Sequence, residues 1–269
     1  MLLALALPAA VALADWDQSA DTLRRTYRAL PFEGEMEVCA TREAEVRFTE
    51  HNRLGSEVFD LAGRRSSLGD AAGGRLTTRI HELKLEGRSL SSPDRPLVTI
   101  ESVYGPKGEL KSHRRDMAGL DGQVPEDVPA VLWDGLGHLG APASFPGRQR
   151  LRLGDPFPGY LAALAGWITA VHGVLSAPPV LTLESEVLGR AGSKRRDAFL
   201  VRYRVIGDGQ AEAGRVHLEG QGAVLYDSGT CETLVMDFQG TVQVRGARPS
   251  PVFLFHRQVL ASAAPAKKR

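Results

Sequence analysis

The segment Asp227-Ser228-Gly229-Thr230 carries the residue types closest to chemistry in this chain. A carboxylate on such a loop can activate water when a second carboxylate beside it shares its proton, because two like charges in contact cannot both ionise. That arrangement needs a second aspartate, and no second Asp-Ser/Thr-Gly occurs in the 269 residues. Only 39 residues, 231 to 269, follow Thr230. Asp, Ser and Gly are also what an ordinary β-turn requires. A turn is the expectation, and aspartic-type hydrolysis through Asp227 is the most distant function considered.

Other reactive arrangements are missing. There is no Gly-x-Ser-x-Gly elbow, no phosphate loop ending in Gly-Lys-Ser/Thr, and no Gly-x-Gly-x-x-Gly between a strand and a helix. Gly207-Asp208-Gly209 is expected in a turn between strands. His51, His81, His113, His138, His172, His217 and His256 are widely separated, and neither CxxC nor HxxxH spacing is present, so no metal ligands are assigned. Asp134 and His138 share a helical face at i, i+4, an ordinary surface pair. Cys39 and Cys231, 192 positions apart, either form a disulfide or remain two buried thiols. No catalytic residue and no cofactor is expected.

Residues 1–14 are uncharged and apolar, and end Ala12-Leu13-Ala14 before Asp15. This reads as a signal peptide cleaved near Ala14, which places the mature chain in the periplasm or outside the cell. The run is too short to span a bilayer, which takes about 20 apolar residues. Its first part lacks Lys or Arg, the first basic residue being Arg24, so either the start lies upstream or the signal is weak. The chain has 33 basic and 32 acidic residues, a formal charge of +1, which leaves no footprint for nucleic acid. No transmembrane segment is expected.

The remaining sequence must supply the framework. Period-two alternation predicts strands at Met36–Val38, Glu45–Thr49, Leu181–Glu184, Phe199–Val205, Arg215–Glu219 and Thr241–Arg245, each with one wet and one dry face. Gly63, Gly73-Gly74, Gly105 to Gly108, Gly207 to Gly209 and Asp227 to Gly229 are read as turns, and Lys194-Arg195-Arg196 as a hairpin tip near Gly192. A helix capped by Ser19 is expected to run through Leu30, with Leu23, Tyr27 and Leu30 on one stripe and Pro31 as its stop. A second helix is expected over 125–139. A third, over 160–175, is apolar around nearly its whole circumference and framed by prolines. It is either buried core or the lid of an apolar cavity.

The fold class expected is α+β, mostly antiparallel β: a curved sheet or open half-barrel with a few covering helices. One domain spans 15–258, with halves at 33–117 and 145–258, and 259–269 forms a disordered basic tail. The helix at 125–139, then Phe145-Pro146 leading to Gly154-Asp155, and later Gly220 to Thr230, resembles uncharacterised bacterial exported proteins with the same order of segments. In architecture alone it is similar to lipoprotein-carrier half-barrels, whose sheet wraps an apolar cleft. The resemblance implies export and fold class and transfers no residue role.

The function expected is non-enzymatic: binding or carrying a lipid or acyl chain between the concave sheet face and the 160–175 helix. Leu161, Leu164, Trp167, Ile168 and Val171 are the candidate lining, with Tyr203 and Phe238 on the sheet side. The alternative is a ligand-free structural or protein-interaction module of the cell envelope.

Overall fold

The structure, a computed structural model, describes residues 18–41, 43–55, 57–70, 73–85, 87–105, 110–120, 148–157, 159, 180–193, 196–211 and 214–262. The expected signal peptide and the helices at 125–139 and 160–175 lie outside the described residues, as do His138 and His172.

Helix α1 (Gln18–Tyr27) opens the described chain, followed by β1 (Met36–Val38), β2 (Glu43–Leu54), β3 (Glu57–Asp70), β4 (Gly73–Leu85), β5 (Arg88–Ser91), β6 (Val98–Tyr104) and β7 (Leu110–Asp116). A single 3-10 turn, Ala118–Leu120, comes next. Then follow β8 (Gln149–Leu151), β9 (Val180–Ser193), β10 (Arg196–Ala211), β11 (Gly214–Asp227), β12 (Thr233–Val244) and β13 (Ser250–Ser262). Eleven strands form one curved, open, antiparallel sheet in the order β7-β6-β4-β3-β2-β13-β12-β11-β10-β9, with β5 added on β4. The two expected halves meet at the β2–β13 seam, where Leu54 to Val46 pair with Leu254 to Ser262. A small ribbon of β1 and β8 ties the halves again.

Alternation sorts the residues onto two faces. The inner face holds one apolar cluster that runs unbroken from Phe59, Ile80 and Ile100 to Val201, Val205 and Val242. Leu120, Leu151 and Phe157 join it from outside the sheet. On the outer face α1 packs Ala20 and Leu23 against Leu200, Ala223 and Leu225. Among the described residues no helix is long and apolar enough to cross a membrane.

Four sequence expectations shift. Ser19 sits inside α1, and the helix stops three residues before Leu30 because Arg28 takes a left-handed φ of 52°. Ala29 N–H then bonds back to Arg24 O at 3.0 Å, a helix-closing bond. This turns Leu30 into a bridge with Arg190, where it is 68% exposed. Gly207-Asp208-Gly209 lies within β10, where missing side-chain bulk at Gly207 makes room for Leu181. Gly63 is part of β3, at a break in register with β4. A Cβ there would lie 2.1 Å from Arg79 O, so the close approach of β4 requires glycine. Finally, β13 continues four residues past 258, into the segment expected to be tail.

Candidate functional site

The disulfide is formed: Cys39 and Cys231 are bonded with a Cα–Cα distance of 5.0 Å. This is compatible with an oxidising compartment. It clamps the end of β1 to the turn after β11, where Cys39 N–H donates to Ser228 O at 2.8 Å and Thr41 N–H to Gly229 O at 3.0 Å. Asp227 to Thr230 is a turn, as its composition predicts. Asp227 Oδ1 accepts from Gly229 N–H (3.1 Å), Thr230 N–H (2.8 Å) and the Thr230 hydroxyl (3.0 Å).

Beside that turn, on the inner face, lies a buried charged cluster. The register places Glu50 and Asn52 of β2, Arg65 of β3, Thr78 of β4, and His256 and Gln258 of β13 on one surface. Arg65 Nη2 donates to Glu50 Oε1 at 2.7 Å. Its Nη1 reaches Gln258 Oε1 at 3.1 Å and Glu232 Oε2 at 3.4 Å. The guanidinium stacks 4.5 Å above the centre of the Phe48 ring. Arg65 and Glu50 have no exposed side-chain surface, so each ion needs the other to offset its lost hydration.

The cluster is not internally complete. Glu50 Oε2, Glu232 Oε1 and Asn52 Nδ2 are buried without a hydrogen-bond partner among the described residues. Burial pushes the Glu232 carboxyl up to about 7. Arg65 opposes that rise, and the Asp227 and Glu50 charges add to it. The same burial holds the His256 imidazole below its usual value. His256 Nδ1 lies 2.6 Å from Asn52 Oδ1, and Nε2 lies 3.3 Å from Thr233 O. A neutral ring meets both neighbours only when the Asn52 amide turns its NH₂ to Nδ1 while Nε2–H donates to Thr233 O. That turn also gives the orphaned Nδ2 its acceptor. Among the described residues no group of His, Cys, Asp and Glu could hold a metal ion.

Tyr203 and Phe238 stand in the same inner row, on either side of Gly222. Both are fully buried. The Tyr203 hydroxyl is 2.8 Å from that of Tyr226, whose ring meets Phe199 and Phe157 edgewise or tilted at about 5 Å. Leu161, Leu164, Trp167, Ile168 and Val171 lie outside the described residues, so their position relative to Tyr203 and Phe238 is not described.

Open space occurs on the other face. A groove of about 300 Å³ is lined by Tyr27 of α1, Ala191 of β9, Ala198 of β10, Leu225 of β11, Leu234 and Val235 of β12, and Arg257 and Val259 of β13. Ala191 and Ala198 are a cross-strand pair, and their small side chains form the depression. None of these lining residues was a sequence candidate. The readable signal was small residues at outward positions of otherwise bulky strands, beside a helix with an apolar stripe.

No family model matches the chain, and no curated protein matches it. Among solved structures, the crystal structure of a DUF1329 family protein from Desulfovibrio piger is similar over 84% of this chain and 88% of that one. The sequence identity is 8% and the TM-score 0.27. A superposition that loose carries no argument about fold or function.

Proposed function

We propose that this is an exported cell-envelope protein that binds an apolar ligand, a lipid or its acyl chain, without catalysing a reaction. The observation that carries the reading is the open groove of about 300 Å³, walled by apolar side chains with Arg257 beside them. Its size is at the lower end of ligand pockets, suited to one chain or part of one. The combination of an apolar wall and one cation suits a fatty acid or another amphiphile with an anionic end. The groove lies on the outer face of the sheet, opposite the buried Tyr203 and Phe238 that the sequence offered as lining. The disulfide supports export, because such bonds persist in oxidising compartments.

Titration of the purified protein with a fluorescent fatty acid tests the reading. Ala191→Leu fills the floor of the groove and is expected to weaken binding about tenfold, the effect of losing burial of roughly two methylenes. Tyr27→Ala removes a wall contributed by the helix and is expected to weaken it less. Far-UV circular dichroism checks that both variants fold. Unchanged affinity in both folded variants, or no binding by the parent, refutes the proposal. Native mass spectrometry with organic extraction of protein from its own host then identifies the ligand class.

A further inference from the structure

The outer face of β2, β3 and β4 carries no helix among the described residues, since α1 packs over β10 and β11. Strand register draws a row of cations across it. Arg47 of β2 stands directly opposite Arg64 of β3, and Arg64 directly opposite Arg79 of β4. All three are exposed. No carboxylate among the described residues lies within ion-pair distance of any of them, whereas Arg190, Arg202, Arg204 and Arg215 in the other half each have one. Strands in a sheet are about 4.8 Å apart, so three positive charges fall within about 10 Å. Like charges in direct register oppose folding. Of the acids on this face, Glu45 and Glu101 stand one row over, opposite Ser66 and Thr77, Glu82 one row over on the other side, opposite Ala62, and Asp116 lies in the same row beyond Thr99.

Apolar side chains share the surface. Val58 and Leu68 of β3 and Phe253 and Val259 of β13 are 44%, 58%, 40% and 63% exposed. Each alternates with a buried neighbour, Phe59, Ser67, Leu254 and Gln258, so all four point outward. Val58 and Leu68 stand along β3 on either side of Arg64, and Val259, opposite Thr49, and Phe253 lie along β13, the strand beside β2. A soluble polyanion would call for the cations alone. Cations interspersed with exposed Val, Leu and Phe match the interface of a bilayer, where phosphates lie directly above hydrocarbon.

We infer that this outer face docks the protein on an anionic bilayer, with Arg47, Arg64 and Arg79 on lipid phosphates and Val58, Leu68, Phe253 and Val259 in the interfacial layer. The chain's formal charge of +1 supplies no general attraction, so docking depends on this row. Val259 also lines the groove, so docking brings the groove beside the lipid.

The test is flotation of the full chain with phosphatidylcholine vesicles and with vesicles in which phosphatidylglycerol replaces part of that lipid. The parent is expected to float with the anionic vesicles only, and less as salt rises. Replacing all three arginines by glutamine is expected to lower partitioning about a hundredfold, roughly fivefold for each cation removed. Replacing them by lysine is expected to retain it. The glutamine variant is expected to melt at or above the parent's temperature, which separates lost docking from lost folding. Equal flotation of the parent with both vesicle types, or of the glutamine variant with the parent, overturns the inference. Fatty-acid binding in vesicle-free solution is read separately: its absence refutes the groove and leaves the flotation result standing.

Discussion

Glu232 concentrates the tension between burial and charge. In the unfolded chain its carboxyl ionises near 4.5, and in the folded protein at about 7. Between those values the unfolded chain releases a proton that the folded chain keeps, so this group's contribution is fully present below about pH 4.5 and is lost as pH rises through 7. The loss is on the order of 3 kcal/mol. His256 works in the opposite sense: burial lowers its folded-state value, so stability falls as pH drops below 6.5. Glu232→Gln retains a hydrogen-bonding side chain and cannot ionise. Its stability relative to the parent is therefore expected to rise between pH 5 and pH 7.5, as measured by urea midpoints at both. A gap that does not change with pH refutes this account. His256 contributes equally to both proteins and drops out of the comparison. These residues were hard to recognise from sequence because charge usually marks the wet face of a strand. The dry positions Val46 and Phe48 continue in register to Glu50 and Asn52, and that continuation was the available signal.

At the scale of the strands, β11 shows how close two backbones come when glycine is placed inward. A Cβ on Gly222 would lie 2.2 Å from Asp237 O, a main-chain atom. A Cβ on Gly220 would meet the tip of the Phe238 ring at 2.3 Å. Both alanine variants are expected to lose about 1–3 kcal/mol by overpacking. Shortening the ring with Phe238→Leu should recover part of the loss for Gly220→Ala and none for Gly222→Ala, a contrast measurable by thermal denaturation of the single and double variants. The six strands expected from alternation all exist, which shows how much of the sheet a period of two encodes. Their lengths were less legible. β10 was expected over 199–205 and spans 196–211, because Gly207 and Gly209 carry the composition of a turn while Gly207 serves as room for the Leu181 side chain. The end of α1 was likewise set by pairing between Leu30 and Arg190, a partner 160 residues away that local spacing cannot reveal.

For the molecule as a whole, the seam between β2 and β13 makes two sequence halves into one sheet. A chain ending at Gln258 loses the pairing of Val259 to Ser262 with Thr49 to Val46. It is expected to be less stable by roughly 2–4 kcal/mol, taking about 0.5–1.5 kcal/mol per lost hydrogen bond. A chain ending at Ser262 keeps that pairing, and chemical denaturation of the two truncations checks the difference. The general architecture was legible from strand count and turn spacing, whereas this seam was not, because nothing local to either strand names its partner. The strand latest in the described sequence occupies the middle of the sheet rather than an edge. In chain order β2 comes early with one flank unmatched, and 195 residues, 55 to 249, separate it from β13. Closing so long a loop is slow, so the two halves become one sheet only in a late step that needs β13.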